Sequence, residues 1–304
     1  NFDWKSIGVF HSFNSSGFRG RITRLLACSQ EQREKYRGMH LGPTFVHPNY
    51  GVGEVPGYDR SPTYNKPASL MHWTQESEIH EEYVLYIDAD MLLRRMVDPE
   101  ALGAREGVVV TEHVGYLDTG VNNGLAAQFL PAEAAARAGG ATGGWYHLLH
   151  IEDAKRIAPR WLHYCREVRQ HPERYWAGMQ GSTLEHNIAT GDSYVTYGHA
   201  PWIAEMYGYV FAAAEAGVGH VLTRGSVAYS DSHTPPWEPG PFLIHYGLHC
   251  YIKPGPGEGG DGNGSGATYH FTKYHYGHFD PLTCSGDLLP SPPVPSEHEA
   301  LCAE

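Results

Sequence analysis

Two acids separated by one residue, Asp88 and Asp90, close a short apolar run at residues 83–91, Tyr-Val-Leu-Tyr-Ile-Asp-Ala-Asp-Met. The run is rich in aromatic and β-branched side chains. It reads as a buried parallel strand whose carboxyl end opens into a site, the end at which open α/β sheets place their ligands. Two carboxylates there are hard oxygen donors suited to Mn²⁺ or Mg²⁺. Left unpaired in an interior they would be costly, and a divalent ion carrying a diphosphate would neutralise them. The competing reading is a strand followed by an ordinary polar loop, because Asp-X-Asp is a common triplet.

Further stretches offer partners for that pair. Asn65-Lys66-Pro67 opens a helix with proline in its first turn, where proline is tolerated; Asn65 and Lys66 are candidate donor-binding residues, Lys66 placed near a phosphate or ribose or else a solvated lysine. Residues 202–211 are apolar and aromatic with a single acid inside, Glu205. A buried glutamate is either paired or functional, so Glu205 is a candidate catalytic carboxylate, with a structural hydrogen bond as the alternative. Residues 242–249 form a strand running into His245-Tyr246-Gly247-Leu248-His249, and Lys253-Pro254 follows. A neutral imidazole at a strand end can complete the coordination of an ion already held by aspartates. Lys253, with Gly247 nearby, would meet a diphosphate leaving group. Asp118, Asn122 and Asn123 lie in a polar, glycine-containing loop at 114–123 and are weaker candidates for contacts to sugar hydroxyls.

The elements that must position these residues follow from periodicity and breakers. Helices are expected over 4–16 and 30–37 and from residue 65. A surface helix is expected over the alanine-rich 132–138. A longer helix should run through Ile157, Trp161 and Val168, and another should continue to Ala216 and stop at Gly217. Strands are expected over 22–28, up to Asp88, and over 108–111, 145–151 and 242–249; residues 47–62 read as a loop. Glu152 and Asp153 read as first-turn acids favoured by the helix dipole rather than as catalytic groups. The first helix and strand look like the opening of a Rossmann-like unit whose first strand is missing. Residues 255–266 are glycine-rich low complexity and expected to be mobile, Phe271, Tyr274 and His275 are expected to return to the fold, and 288–295 is a proline-rich linker. One domain is expected over 1–284 and a tail over 285–304.

Composition sets limits. The chain has 304 residues, 41% hydrophobic and 12% aromatic, enough for a substantial core. A formal net charge of -12 leaves no basic face for phosphate backbones and argues against a nucleic-acid partner. Most of the 20 His and 20 Tyr are expected to be surface or core residues. Five cysteines, none in a CxxC pair, fit free buried thiols or disulfides with one partner elsewhere. Asn14-Ser15-Ser16 and Asn263-Gly264-Ser265 are glycosylation triplets that weakly favour a secretory location. No run of about 20 apolar residues is present, and the chain opens at Asn1 without methionine, so a targeting or anchor segment is expected outside it.

Taken in order, the motifs resemble a known family. Gly20-Arg21-Ile22-Thr23-Arg24-Leu25-Leu26-Ala27-Cys28, Asn65-Lys66-Pro67-Ala68-Ser69 with His72-Trp73, Ile87-Asp88-Ala89-Asp90-Met91, His150-Ile151-Glu152-Asp153 with Trp161-Leu162, Trp202 to Tyr209, and His245-Tyr246-Gly247-Leu248 are similar to the peptidyl serine α-galactosyltransferases of plants and green algae, relatives of the hydroxyproline O-arabinosyltransferases. The likeness covers residues 3–284. It implies an α/β protein with the GT-A (Rossmann-like) glycosyltransferase fold, a mostly parallel central sheet flanked by helices. It also implies UDP-galactose as donor, Mn²⁺ (or Mg²⁺) as cofactor, a serine acceptor in hydroxyproline-rich, extensin-type peptides, and residence in the endoplasmic reticulum or Golgi lumen. On that reading Asp88, Asp90 and His245 hold the metal, Lys253 faces the diphosphate, and Glu205 stands beside the sugar in a reaction that retains anomeric configuration. The alanine-rich and glycine-rich inserts depart from the family pattern. Arabinosyl transfer to hydroxyproline, a non-catalytic glycan- or peptide-binding module, and a metal-dependent hydrolase are the alternatives.

Overall fold

The computed structural model describes residues 3–177, 190–229, 240–247, 250–252 and 269–274. In chain order the elements are α1 (Asp3–Ser15), β1 (Arg24–Ala27), α2 (Gln30–Lys35), β2 (Thr44–His47), α3 (Asn65–Glu76), β3 (Tyr83–Ile87), β4 (Met91–Leu93), β5 (Val108–His113), α4 (Gly115–Asn122), α5 (Ala132–Ala135), β6 (Gly143–His150), α6 (Ile151–Gln170), α7 (Pro172–Tyr175), α8 (Ala204–Ala216), β7 (Gly219–Thr223), β8 (Val227–Tyr229), β9 (Leu243–His245), β10 (Cys250–Ile252) and β11 (Tyr269–Phe271). Helices flank the sheets, and among the described residues no helix is long and apolar enough to cross a membrane.

The central sheet has the order β3-β6-β5-β7. The expectation of a mostly parallel sheet is corrected here: β6 runs antiparallel to both β3 and β5, and only β5 and β7 are parallel. The reason the run at 83–87 mimics a buried parallel strand lies in its two faces. Val84 and Tyr86 pack against the large core built on α3, α6 and α8, while Tyr83, Leu85 and Ile87 pack against a second core containing Met91, Val110 and Leu243. A strand covered on both sides reads as a continuous apolar run whichever way its neighbour points. Smaller sheets accompany it: β1-β2, parallel; β4-β9-β8, mixed; and β10-β11, antiparallel.

Two other expectations change. Residues 115–122 are helical rather than a loop, because packing overrides their polar, glycine-containing composition. Leu117 and Gly120 are buried, and the Gly120 N–H donates to Tyr207 Oη at 3.2 Å. A Cβ on Gly120 would sit 2.2 Å from that oxygen. The alanine-rich segment is a surface helix only over Ala132–Ala135, shorter than expected: residues 132, 133, 136 and 137 are exposed, while Ala134 and Ala138 are buried in the main core. Helix α8 is apolar around most of its circumference and lies against α6 so closely that a Cβ on Gly208 would be 2.7 Å from the Cys165 backbone nitrogen. It stops at Gly217, which takes the left-handed conformation at φ 69. Cys28 and Cys165 are buried free thiols; Cys284, Cys302, the 255–266 insert and the 285–304 tail lie outside the described residues.

Overpacking of the α6–α8 contact by Gly208→Val is expected to cost about 1–3 kcal/mol, read as a lowered melting temperature. His47 is buried with Nε2 2.6 Å from Ser69 Oγ, and burial, aided by the neighbouring His72, pulls its pKa from an ordinary 6.5 down to about 4. Burial does the same to His220. Between those two values the unfolded chain binds more protons than the folded one, so stability falls as pH drops from 6.5 towards 4, by up to about 1.4 kcal/mol per pH unit per histidine. Calorimetric melts are expected to fall over that window, with a shallower slope for His47→Gln.

Candidate active site

Asp88-Ala89-Asp90 forms the connection from β3 to β4, the point where the chain leaves the central sheet for the smaller three-stranded one. Register then fixes what stands beside Asp90. Met91 on β4 pairs with His245 on β9, which brings His245 Nε2 to 3.4 Å from Asp90 Oδ1. The Tyr246 N–H donates to the Asp90 carbonyl at 3.2 Å and holds the two segments together. A Cβ on Gly247 would lie 2.9 Å from the His245 ring, so this glycine leaves room for the imidazole.

Helix α3 delivers the second set. The Tyr86 hydroxyl on β3 donates to the Lys66 carbonyl at 2.6 Å, pinning the first turn of α3 against the strand. Lys66 Nζ then lies 3.0 Å from Asp88 Oδ1 and 3.3 Å from Glu205 Oε1. Glu205 is in the first turn of α8, where an acid also meets the helix dipole. The start of α8 is held from two directions. Trp161 Nε1 donates to the Glu205 carbonyl at 2.7 Å, and buried Asp192 accepts from the N–H groups of Trp202 (2.9 Å) and Ile203 (3.4 Å).

These groups share one cavity of about 410 Å³ whose walls include Lys5, Lys66, Asp88, Asp90, Glu205, His245, Lys273 and Trp202. Its electrostatics are uneven. Around Asp90, burial pushes the carboxyl pKa up, but His245 and Lys273 outweigh it and hold the group well below the usual carboxylate range. Burial would lower Lys66, yet Asp88 and Glu205 hold its ammonium above its ordinary value. Burial, reinforced by Asp88 and opposed by Lys66, leaves Glu205 above the usual carboxylate range.

The sequence candidates therefore divide. Lys66, Asp88, Asp90, Glu205 and His245 come together. Asn65 does not line the cavity: its side chain accepts from the Tyr50 N–H and donates to Asn49 Oδ1, bracing the loop before α3. Asp118 is bonded to His113 Nε2 at 2.7 Å, and Asn122 and Asn123 are exposed at the far end of α4. Lys253 and His249 lie outside the described residues. Glu152 and Asp153 stand as expected at the start of α6. Antiparallel β6 carries them to the end of the sheet opposite Asp88, since His150 pairs with Tyr83. Sequence reasoning missed Lys5, Lys273 and Trp202. Lys273 sits in the segment expected to return to the fold, and that return was the only available signal for it; a lysine near the start of an amphipathic helix, as Lys5 is, carries none.

As seats for a divalent ion, the proposed trio fits in part. Neighbouring ligands of an octahedral ion at ~2.1 Å stand about 3 Å apart, close to the 3.4 Å between Asp90 Oδ1 and His245 Nε2. Asp88 is engaged by Lys66 instead, and among the described residues no three His, Cys, Asp or Glu side chains gather into a metal-holding group. Behind His245, Trp145 has a left-handed backbone at φ 66 and stacks on Tyr229 with centroids 4.9 Å apart. Such a conformation costs roughly 1–3 kcal/mol in a non-glycine residue and concentrates at functional sites.

Comparison with known proteins adds the lineage. Over 299 residues the chain is 36% identical to a peptidyl serine alpha-galactosyltransferase of Arabidopsis thaliana, an alignment covering 97% of this chain and 33% of that protein. It is 32% identical over 320 residues to the protein of the same name from Chlamydomonas reinhardtii, covering 97% and 38%. The chain thus spans about a third of the length of these curated relatives. A solved structure of the bifunctional glycosyltransferase WbbM aligns with 81% of this chain and 44% of its own at 10% identity and a TM-score of 0.42, too loose a likeness to bear on the fold. Residues 12–178 match the hydroxyproline O-arabinosyltransferase family N-terminal domain, and with that match covering more than half its length, the chain belongs to the hydroxyproline O-arabinosyltransferase family.

Proposed function

We propose that this chain forms the donor-binding and catalytic part of a glycosyltransferase that moves galactose from UDP-galactose to serine in hydroxyproline-rich, extensin-type peptides, with retention at the anomeric carbon. On this reading it works in the lumen of the endoplasmic reticulum or Golgi. The observation that carries the proposal is the polarity of one cavity: cations gather about Asp90 on one side, and Glu205 with Asp88 brackets Lys66 on the other. A departing diphosphate becomes more negative as the sugar carbon becomes more positive, and preorganised charges of opposite sign suit those two ends. The names of the curated relatives support galactose as the sugar and serine as the acceptor.

Asp90 and His245 would hold the Mn²⁺ or Mg²⁺. When bound, such an ion supplies positive charge against the leaving diphosphate. Glu205 faces the sugar end, either as a nucleophile that bonds to the anomeric carbon in a double displacement or as a fixed negative charge beside it in a front-face displacement. Both roles need the carboxylate ionised, and Lys66 at 3.3 Å opposes the effect of burial. Lys66 also turns Asp88 towards the same side, making it a positioning residue for both acids.

A second reading is favoured by the family match itself: arabinosyl transfer to hydroxyproline. Incubating the intact protein with a Ser-hydroxyproline peptide, Mn²⁺ and a panel of UDP-sugars, then weighing the product, separates the two. A hexose added only from UDP-galactose supports the proposal, and a pentose from UDP-arabinose overturns it. UDP release that no peptide accelerates would mark a hydrolase, and peptide binding with no UDP release from any donor a binding module.

Asp90→Asn is expected to remove transfer while the thermal melt stays cooperative; wild-type turnover by that variant at saturating Mn²⁺ would contradict its role. Lys66→Met is expected to destabilise the fold by about 3 kcal/mol, because it strands two partly buried carboxylates. Adding Glu205→Gln should recover part of that loss in denaturant titrations. Glu205→Gln alone is expected to lower kcat at least ~100-fold with little change in melting temperature.

A further inference from the structure

We infer that Trp202 is an acceptor-binding residue: its indole is the platform on which a proline-type ring of the acceptor peptide lies while the serine hydroxyl reaches the sugar carbon. The inference rests on the glycosyltransferase reading above and deepens it by naming a side chain for the peptide half of the reaction.

The cavity is not charged all round. Pro62, Trp202, Ile203 and Met206 give its wall an apolar stretch. Pro62 lies just before α3, and the other three stand at the start of α8, the helix whose first turn carries Glu205. The apolar stretch therefore belongs to the Glu205 side of the cavity, where the proposed reaction sets the sugar carbon. The Asp90 side, with His245, is where that reaction sets the diphosphate.

Trp202 is 53% exposed, although Pro201 and Ile203 on either side of it are buried. The loop that presents it, residues 190–203, is fixed through its main chain. Asp192, fully buried, accepts from the N–H groups of Trp202 at 2.9 Å and Tyr194 at 3.2 Å. Arg169 donates to the Pro201 carbonyl at 3.0 Å, Trp176 Nε1 to the His199 carbonyl at 2.8 Å and the Tyr207 hydroxyl to the Thr190 carbonyl at 2.6 Å. What this braced loop displays is aromatic, since Tyr194 and Tyr197 are exposed along with Trp202. Tyr116, also exposed, joins them from α4. Its carbonyl oxygen would be 2.2 Å from a Cβ on Gly191, and its hydroxyl donates to Met206 Sδ at 3.0 Å, on the cavity wall.

A single exposed apolar side chain is ordinary on a protein surface. A tryptophan held by a braced loop on the wall of a catalytic cavity, with tyrosines beside it, has the composition of a binding face. Such rings supply large contact area and have little rotamer freedom to lose. Continuity with the cavity selects the occupant. The molecule that receives the sugar must cross the Glu205 side to bring its hydroxyl to the reacting carbon, and in the proposed reaction that molecule is a hydroxyproline-rich peptide. An indole face suits it. Proline-type rings are compact and apolar, and a chain rich in them already holds the extended polyproline helix, so docking on aromatic side chains costs it little conformational entropy.

Titration of the full-length protein with a labelled Ser-hydroxyproline peptide, and separately with UDP and Mn²⁺, tests the inference without requiring turnover. Wild type is expected to bind that peptide roughly 10-fold more tightly than one in which glycine and alanine replace hydroxyproline. Trp202→Ala should weaken the hydroxyproline peptide roughly 10-fold or more. It should leave UDP affinity and melting temperature unchanged, because the bond to Asp192 comes from the backbone and persists in the variant. Trp202→Phe keeps an aromatic face and should stay within a few-fold of wild type. Should Trp202→Ala melt early, Trp202→Gln makes the same comparison with a side chain suited to an exposed position. Equal peptide affinity in wild type and these variants overturns the inference, as does a wild type that binds both peptides alike or neither. Weakened UDP binding in Trp202→Ala with peptide affinity intact also overturns it, since the indole would then face the donor. The proposed reaction stands or falls separately. Peptide binding that depends on Trp202, alongside no sugar transfer by wild type from any donor, keeps the platform and removes the reaction. Sugar transfer to the peptide with an unchanged peptide KM in Trp202→Ala does the reverse.

Discussion

A single ammonium group lodged between two carboxylates organises this cavity. Lys66 sits 3.0 Å from Asp88 and 3.3 Å from Glu205, three charged groups that solvent reaches only in part. None would be tolerable there alone, since an unpaired charge withdrawn from water is expensive. Together they demand that α3, the end of β3 and the start of α8 meet at one place. Much of the surrounding architecture serves that meeting. The Tyr86 hydroxyl anchors α3, the Trp161 indole anchors α8, and Asp192 gathers the N–H groups that lead into α8. The close approach of α6 and α8, possible because residue 208 is glycine, puts Trp161 within reach of the Glu205 carbonyl.

The second organising constraint is the change of sheet at the aspartate turn. Because β3 and β4 belong to different sheets, the two acids between them are presented to two neighbourhoods. Asp88 turns to the α3–α8 side and Asp90 to the β4–β9 side, where strand register supplies His245. The spacing of one residue that looks, in sequence, like a pair of equivalent ligands becomes in space a division of labour. One acid joins the negative set and the other is surrounded by cations.

That division explains what could be read from the chain and what could not. The acids, the late histidine and Glu205 were legible because each interrupts or ends an apolar stretch, where polar groups must be paired or used, and Lys66 because it stands at the start of a helix. Strand direction was not legible. The run before Asp88 is apolar at every position because two cores grip its two faces, and that pattern carries no information about whether its neighbour is parallel. Helix α4 was misread as a loop because its glycine at 120 serves a tertiary contact with Tyr207 rather than a turn. Asn65 was misread as a ligand because proximity along the chain to Lys66 does not set where its amide points. Lys5 and Lys273 were invisible for a simpler reason: only folding brings residues so far apart in sequence to one oxygen atom.

The ring of Tyr246 touches both Trp4 and Phe271, residues near the two ends of the described chain. As the polypeptide leaves the ribosome, the segment bearing Asp88 and Asp90 emerges long before its late companions. The pocket therefore stays unfinished until residue 273 has emerged, and a nascent chain halted before β9 would hold the aspartates without the imidazole and the second lysine. Only a product cut short between α8 and β9 would have all the helices of the main core while still lacking the imidazole beside Asp90.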